Sequence, residues 1–66
     1  MLFRSEQALI YADEALALAE RVFGAGHPEL AAFVNERGLA LNYTDRWSDS
    51  EAEHRRAVAI TEAAYG

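Results

Sequence analysis

The stretch that ends in Phe23-Gly24 returns 42 residues later, ending in Tyr65-Gly66. In that register Ala15, Ala17, Glu20 and Gly24 meet Ala57, Ala59, Glu62 and Gly66, while Leu16, Leu18 and Phe23 meet Val58, Ile60 and Tyr65. The correspondence fades toward the start of each stretch. Self-similarity with a period of roughly 20–50 residues marks a solenoid, in which each unit buries its apolar face against the next.

Three helices are expected, over 5–23, 28–43 and 48–65. Hydrophobic residues make up 52% of the chain, which is too many for a disordered segment. Much of that share is alanine, the best helix former. In the first helix the polar residues fall in pairs seven apart: Glu6-Gln7, Asp13-Glu14 and Glu20-Arg21. Nearly everything else there is apolar, so this helix is expected to lie between neighbours. A coiled-coil strand is the poorer reading: Leu2, Leu9, Leu16 and Phe23 are also seven apart, but the other core position is mostly alanine.

The helix ends carry their own signals. Ser5 is placed to cap the first helix. Gly24 suits the left-handed position after a helix, and Pro28 suits the first helical position of the next. Leu30, Phe33, Val34, Arg37 and Leu41 fall on one face of the second helix. Ser48-Asp49-Ser50-Glu51 has the spacing of a capping box, with Trp47 placed to pack back onto the helix that follows. Joined by so short a turn, the second and third helices are expected to be antiparallel.

From Glu14 onward the chain resembles tetratricopeptide repeats of the kinesin-light-chain type. The resemblance rests on the joint Gly24-Ala25-Gly26-His27-Pro28 with its 42-residue spacing. It continues through Val34-Asn35, Gly38-Leu39, Arg46-Trp47, Glu51 and Arg55-Arg56-Ala57-Val58-Ala59-Ile60. It implies an all-α solenoid segment over 1–66: the second helix of one repeat, then one full repeat. It also implies a scaffold that holds a protein or peptide rather than an enzyme. The groove-lining positions it implies are Ala32, Asn35, Glu36, Leu39 and Asn42. Ala57 matches the alanine kept where paired helices touch, with Ala15 its counterpart one repeat earlier. Four residues depart from the pattern. Arg37 replaces a large apolar residue, His54 an aromatic, Asp45 a turn glycine and Ser50 a packed alanine. Either packing there is loose or the repeat lies near the end of an array, where polar faces are expected.

Charge and motifs narrow the remaining functions. The net charge is −5, which argues against nucleic acid and anionic membranes as partners. No apolar run has the length of a signal peptide or a membrane span, so a cytoplasmic protein is the expectation. There is no cysteine to form a disulfide or a thiolate site. Glu51-x-x-His54 matches half of a di-iron bundle motif, but short spacings of common residues match by accident, and no metal or other cofactor is expected. Ser48 and Ser50 have no histidine placed to activate them and read as caps. His27 reads as a linker or cap, and Arg55-Arg56 as a solvated face. A chain this short buries only about 60% of the surface its unfolded form exposes. Self-assembly through the first or third helix is therefore the second functional expectation.

Overall fold

The structure is a computed structural model that describes residues 4–66, with the side chain of Ser5 excepted. The expected cap at Ser5 and the residue Leu2 lie outside the described residues. Among the described residues the chain is all-α: α1 spans Arg4–Phe23, α2 Leu30–Tyr43 and α3 Trp47–Tyr65. The three form a slab of 41 × 24 × 11 Å, with α2 packed against both α1 and α3. The core lies where the three converge. Leu30, Val34 and Leu41 of α2 are fully buried, and Leu16 and Ala19 of α1 and Ala57 of α3 form one cluster with Leu30 and Val34. Phe33, Ala31 and Ile60 pack on this cluster. The expected inner face of α2 is the inner face, and Ala57 sits at the close contact assigned to it.

The repeat is legible in the helix ends. Gly24 and Gly66 both have positive φ, at 85° and 92°. In each, the amide donates to the carbonyl four residues back, to Glu20 at 2.9 Å and to Glu62 at 2.8 Å. That single bond to a left-handed residue is the simpler of the two common helix endings. The end of α2 uses the other. There the Arg46 amide donates to the Leu41 carbonyl at 2.9 Å and the Asp45 amide to Asn42 at 3.2 Å. Asp45, at φ 60°, holds the left-handed position that a glycine would fill. Aspartate is among the few side chains that tolerate it.

Two helix starts differ from expectation. Helix α2 begins at Leu30 rather than Pro28. Residues 27–31 form a tighter turn first, in which Leu30 and Ala31 donate to the carbonyls of His27 and Pro28 at 2.9 and 3.1 Å. The His27 Nδ1 accepts the Glu29 amide at 3.1 Å, so the imidazole supplies the cap that a serine or aspartate usually provides. Its ring also stacks on Phe23, with centroids 5.0 Å apart, which ties the linker to the end of α1.

The capping box at Ser48–Glu51 does not form. Helix α3 starts at Trp47 after Arg46, with no side-chain cap. Arg46 instead reaches Asp49 at 2.9–3.0 Å, and Glu51 pairs with Arg55 one turn on. Starting one residue earlier puts Ser48 and Ser50 inside the first turns, where their hydroxyls no longer face the free amides. Trp47 is mostly exposed rather than folded back. Ser50 turns into the interface and is buried.

Candidate functional site

Helix α2 lies across the valley between α1 and α3, so its opposite face is open. Ala32, Asn35, Glu36, Leu39 and Asn42 are all on that face and all exposed. They form an apolar centre, Leu39, between two differing edges. On the α1 side, Glu36 and Leu39 join Tyr43, Phe33 and the α1 residues Tyr11 and Ala12 around a groove of about 620 Å³. On the α3 side, Asn35 borders a smaller depression with Ala57, Val58 and Thr61. The stripe expected to act as one surface therefore borders two.

Asn35 is held from behind. Its Oδ1 lies 3.1 Å from His54 Nδ1, and the His54 ring lies flush against the α2 backbone at Gly38. A Cβ at Gly38 would fall 2.9 Å from that ring, so any larger residue there would have to displace the His54 side chain. One turn earlier on α3, Ser50 Oγ donates to the Gly38 carbonyl at 2.8 Å. His54 and Ser50, the two departures from the resembled pattern on this helix, are thus both used against one glycine. The polar groups are satisfied there, and packing is tight rather than loose.

Arg37, a third departure, sits on the valley side of α2. Its Nε bonds Asp13 of α1, and its Nη1 lies 3.3 Å from Glu53 of α3. Arg56 continues the series, at 4.0 Å from Glu53 and 3.6 Å from Glu20 of α1. Five charged residues therefore link all three helices where a large apolar side chain is the usual filling. Asp13, by hydrogen bond and by charge, raises the Arg37 pKa above its ordinary value against the opposing effect of partial burial. Glu53 Oε2 is closed off from solvent and receives no well-aligned hydrogen bond. Its negative charge is balanced by the two guanidinium groups instead.

The residues that line the groove from α1, together with Tyr43, escaped the sequence reading. Tyr43 could have been found, since it follows Leu39 by four and shares its helix face. The α1 residues could not, because which side of α1 meets α2 is a tertiary fact. The two residues of Glu51-x-x-His54 engage Arg55 and Asn35, and among the described residues no three histidines or acids converge as a metal site would need. No described helix is long and apolar enough to cross a membrane.

Comparison with known proteins adds a family. Residues 1–29 match the tetratricopeptide repeat family model. The clustered mitochondria protein homologs of Aspergillus fumigatus and Neosartorya fischeri are 26% identical over 62 residues, which cover 94% of this chain. The chain spans 5% of the length of these curated relatives. No solved structure matches significantly. The match covers α1 and its linker, and the same helix ending returns at Gly66, so this part of the chain is similar to tetratricopeptide repeats.

Proposed function

We propose that this chain is a protein-interaction scaffold of the kinesin-light-chain type of tetratricopeptide repeat, and that it holds an extended peptide on the open face of α2. The observation that supports this most is Asn35, an exposed amide whose Oδ1 is engaged by His54 on the side facing α3. With His54 donating, the Asn35 amino group is left to donate outward to a peptide carbonyl. Leu39 offers one apolar contact beside it, Ala32 leaves room for backbone, and Asn42 repeats the amide two turns on. Glu36 favours a basic ligand over an acidic one, in keeping with the net charge of −5. No catalytic or cofactor chemistry is part of this reading, since scaffolds of this family act by holding partners, and a location in the cytoplasm fits it.

The test is an array of extended peptides graded from acidic to basic, probed with the wild-type chain and with Asn35→Ala. Basic peptides should be retained best. The substitution should weaken the retained ones by about 1–3 kcal/mol, because a peptide carbonyl loses its partner. Retention that ignores both Asn35→Ala and Asn42→Ala would remove α2 as the binding face.

A further inference from the structure

His54 does more than fill the joint between α2 and α3. Its ring lies face-on to Gly38. A Cβ built there would stand 2.9, 3.0 and 3.1 Å from Cε1, Nε2 and Nδ1, nearly equidistant from all three atoms. The ring is half-buried, and the preceding turn of α3 is tied to the same glycine by the 2.8 Å bond from Ser50 to the Gly38 carbonyl. Held in this way, His54 Nδ1 meets Asn35 Oδ1 at 3.1 Å. An amide oxygen can only accept, so the hydrogen of this bond sits on Nδ1.

We infer that His54 is a specificity-determining residue of the peptide site: it makes Asn35 a contact that only donates, so the peptide residue opposite needs a carbonyl but no N–H, and proline is accepted there. This specificity rests on the peptide-binding reading of α2 and adds to it which backbone groups the ligand must supply.

The chemistry of the amide sets the choice. In an extended chain the N–H and C=O of one residue point to the same side, so both can be engaged at once. A free asparagine suits that pair, since its oxygen accepts the N–H while its amino group donates to the carbonyl. At position 35 the oxygen is turned to α3 and already accepts a hydrogen from the ring. The amino group stands at the opposite corner of the same planar amide. With the oxygen turned away, no single peptide residue on the open face reaches both ends. An apolar ring at position 54 would cover Gly38 equally well and leave the oxygen free, so the imidazole nitrogen is the deciding group.

Nuclear magnetic resonance titration of the isotope-labelled 66-residue chain tests it. The probe is a blocked alanine octapeptide with one arginine for Glu36, together with the same peptide methylated at one backbone nitrogen at a time. Methylation removes an N–H and leaves every carbonyl. Each methylation should change the dissociation constant by the same factor in the wild-type chain and in Asn35→Ala. In His54→Phe the freed oxygen should make one further position sensitive, with a rise of roughly 3- to 10-fold. His54→Gln, which restores a donor, should remove that sensitivity. A methylation penalty present in the wild type and lost in Asn35→Ala overturns the inference, because Asn35 then accepts a peptide N–H. That comparison stands even if His54→Phe fails to fold. A folded His54→Phe chain with the wild-type pattern overturns it as well, since His54 then decides nothing. Probe binding that is absent, or indifferent to Asn35→Ala, is a different failure: it overturns the peptide-binding reading, and this specificity with it.

Discussion

Where α2 meets α3, the bare Gly38 makes room for the His54 ring, and Ser50 and Asn35 add polar contacts across the joint. Where α2 meets α1, the contact is made by apolar side chains, Leu16, Ala19 and Phe33, with one ion pair from Arg37 to Asp13 at the edge. The connections differ in the same sense. Helices α2 and α3 are joined by a short turn whose amides and Thr44 hydroxyl are tied to the last carbonyls of α2. Helices α1 and α2 are joined by a longer linker with two left-handed glycines. The α2–α3 hairpin is thus specified by fit at close range. The α1–α2 joint is specified by burial, which depends less on exact position and tolerates adjustment.

Substitutions can break this contrast or sharpen it. The largest effect is expected at the residues both joints share. Leu30→Ala should cost about 2–5 kcal/mol in a thermal or urea melt, because Leu30 is fully buried at the centre of the core. For a chain of this size that loss should unfold it outright, and a folded Leu30→Ala chain would mean the joints do not share a core.

Overpacking should separate the joints. Gly38→Ala on α2 and Ala57→Leu on α3 each add bulk between these two helices and should cost about 1–3 kcal/mol. Hydrogen exchange should then rise in α3 more than in α1. Leucine at the exposed Ala59 should be nearly silent, and equal losses at 57 and 59 would show that the phase of α3 is wrong.

The charged series gives a third test. Arg37→Leu restores the usual apolar residue but leaves Glu53 with only the more distant Arg56. It should cost about 1–3 kcal/mol, as burial of an unpaired polar group does. Adding Glu53→Met should recover most of the loss, because a buried ion pair exchanged for apolar residues of similar volume is often neutral or better. A single substitution that stabilises the chain would mean Glu53 escapes to solvent.

The smallest effect is expected at Ser50→Ala, which removes the hydroxyl donated to the Gly38 carbonyl. It should cost about 0.5–1.5 kcal/mol. Alanine is also the residue expected at this position in the resembled pattern, so good packing should soften the loss. A larger loss would make the hydrogen bond, rather than the close approach, the chief tie between α2 and α3.

Local signals in the sequence determined the three helices, the left-handed glycine at the end of α1 and the inner face of α2. Each of these follows from the spacing of neighbouring residues along one helix, or from backbone freedom at one position, and such information survives without knowledge of the fold. The 42-residue recurrence added the architecture, since like units stack alike. Tertiary structure decided what each polar residue on an inner face does. Ser50 looked like a cap until α3 began one residue earlier and turned its hydroxyl toward Gly38. Arg37 and His54 looked like misfits, because a charge or an imidazole in a packed site is costly unless a partner waits across the gap. Their partners, Asp13, Glu53 and Asn35, come from other helices, 16 to 24 residues away along the chain. No local pattern holds that pairing, and only the packing of three helices into one valley brings the charges within reach.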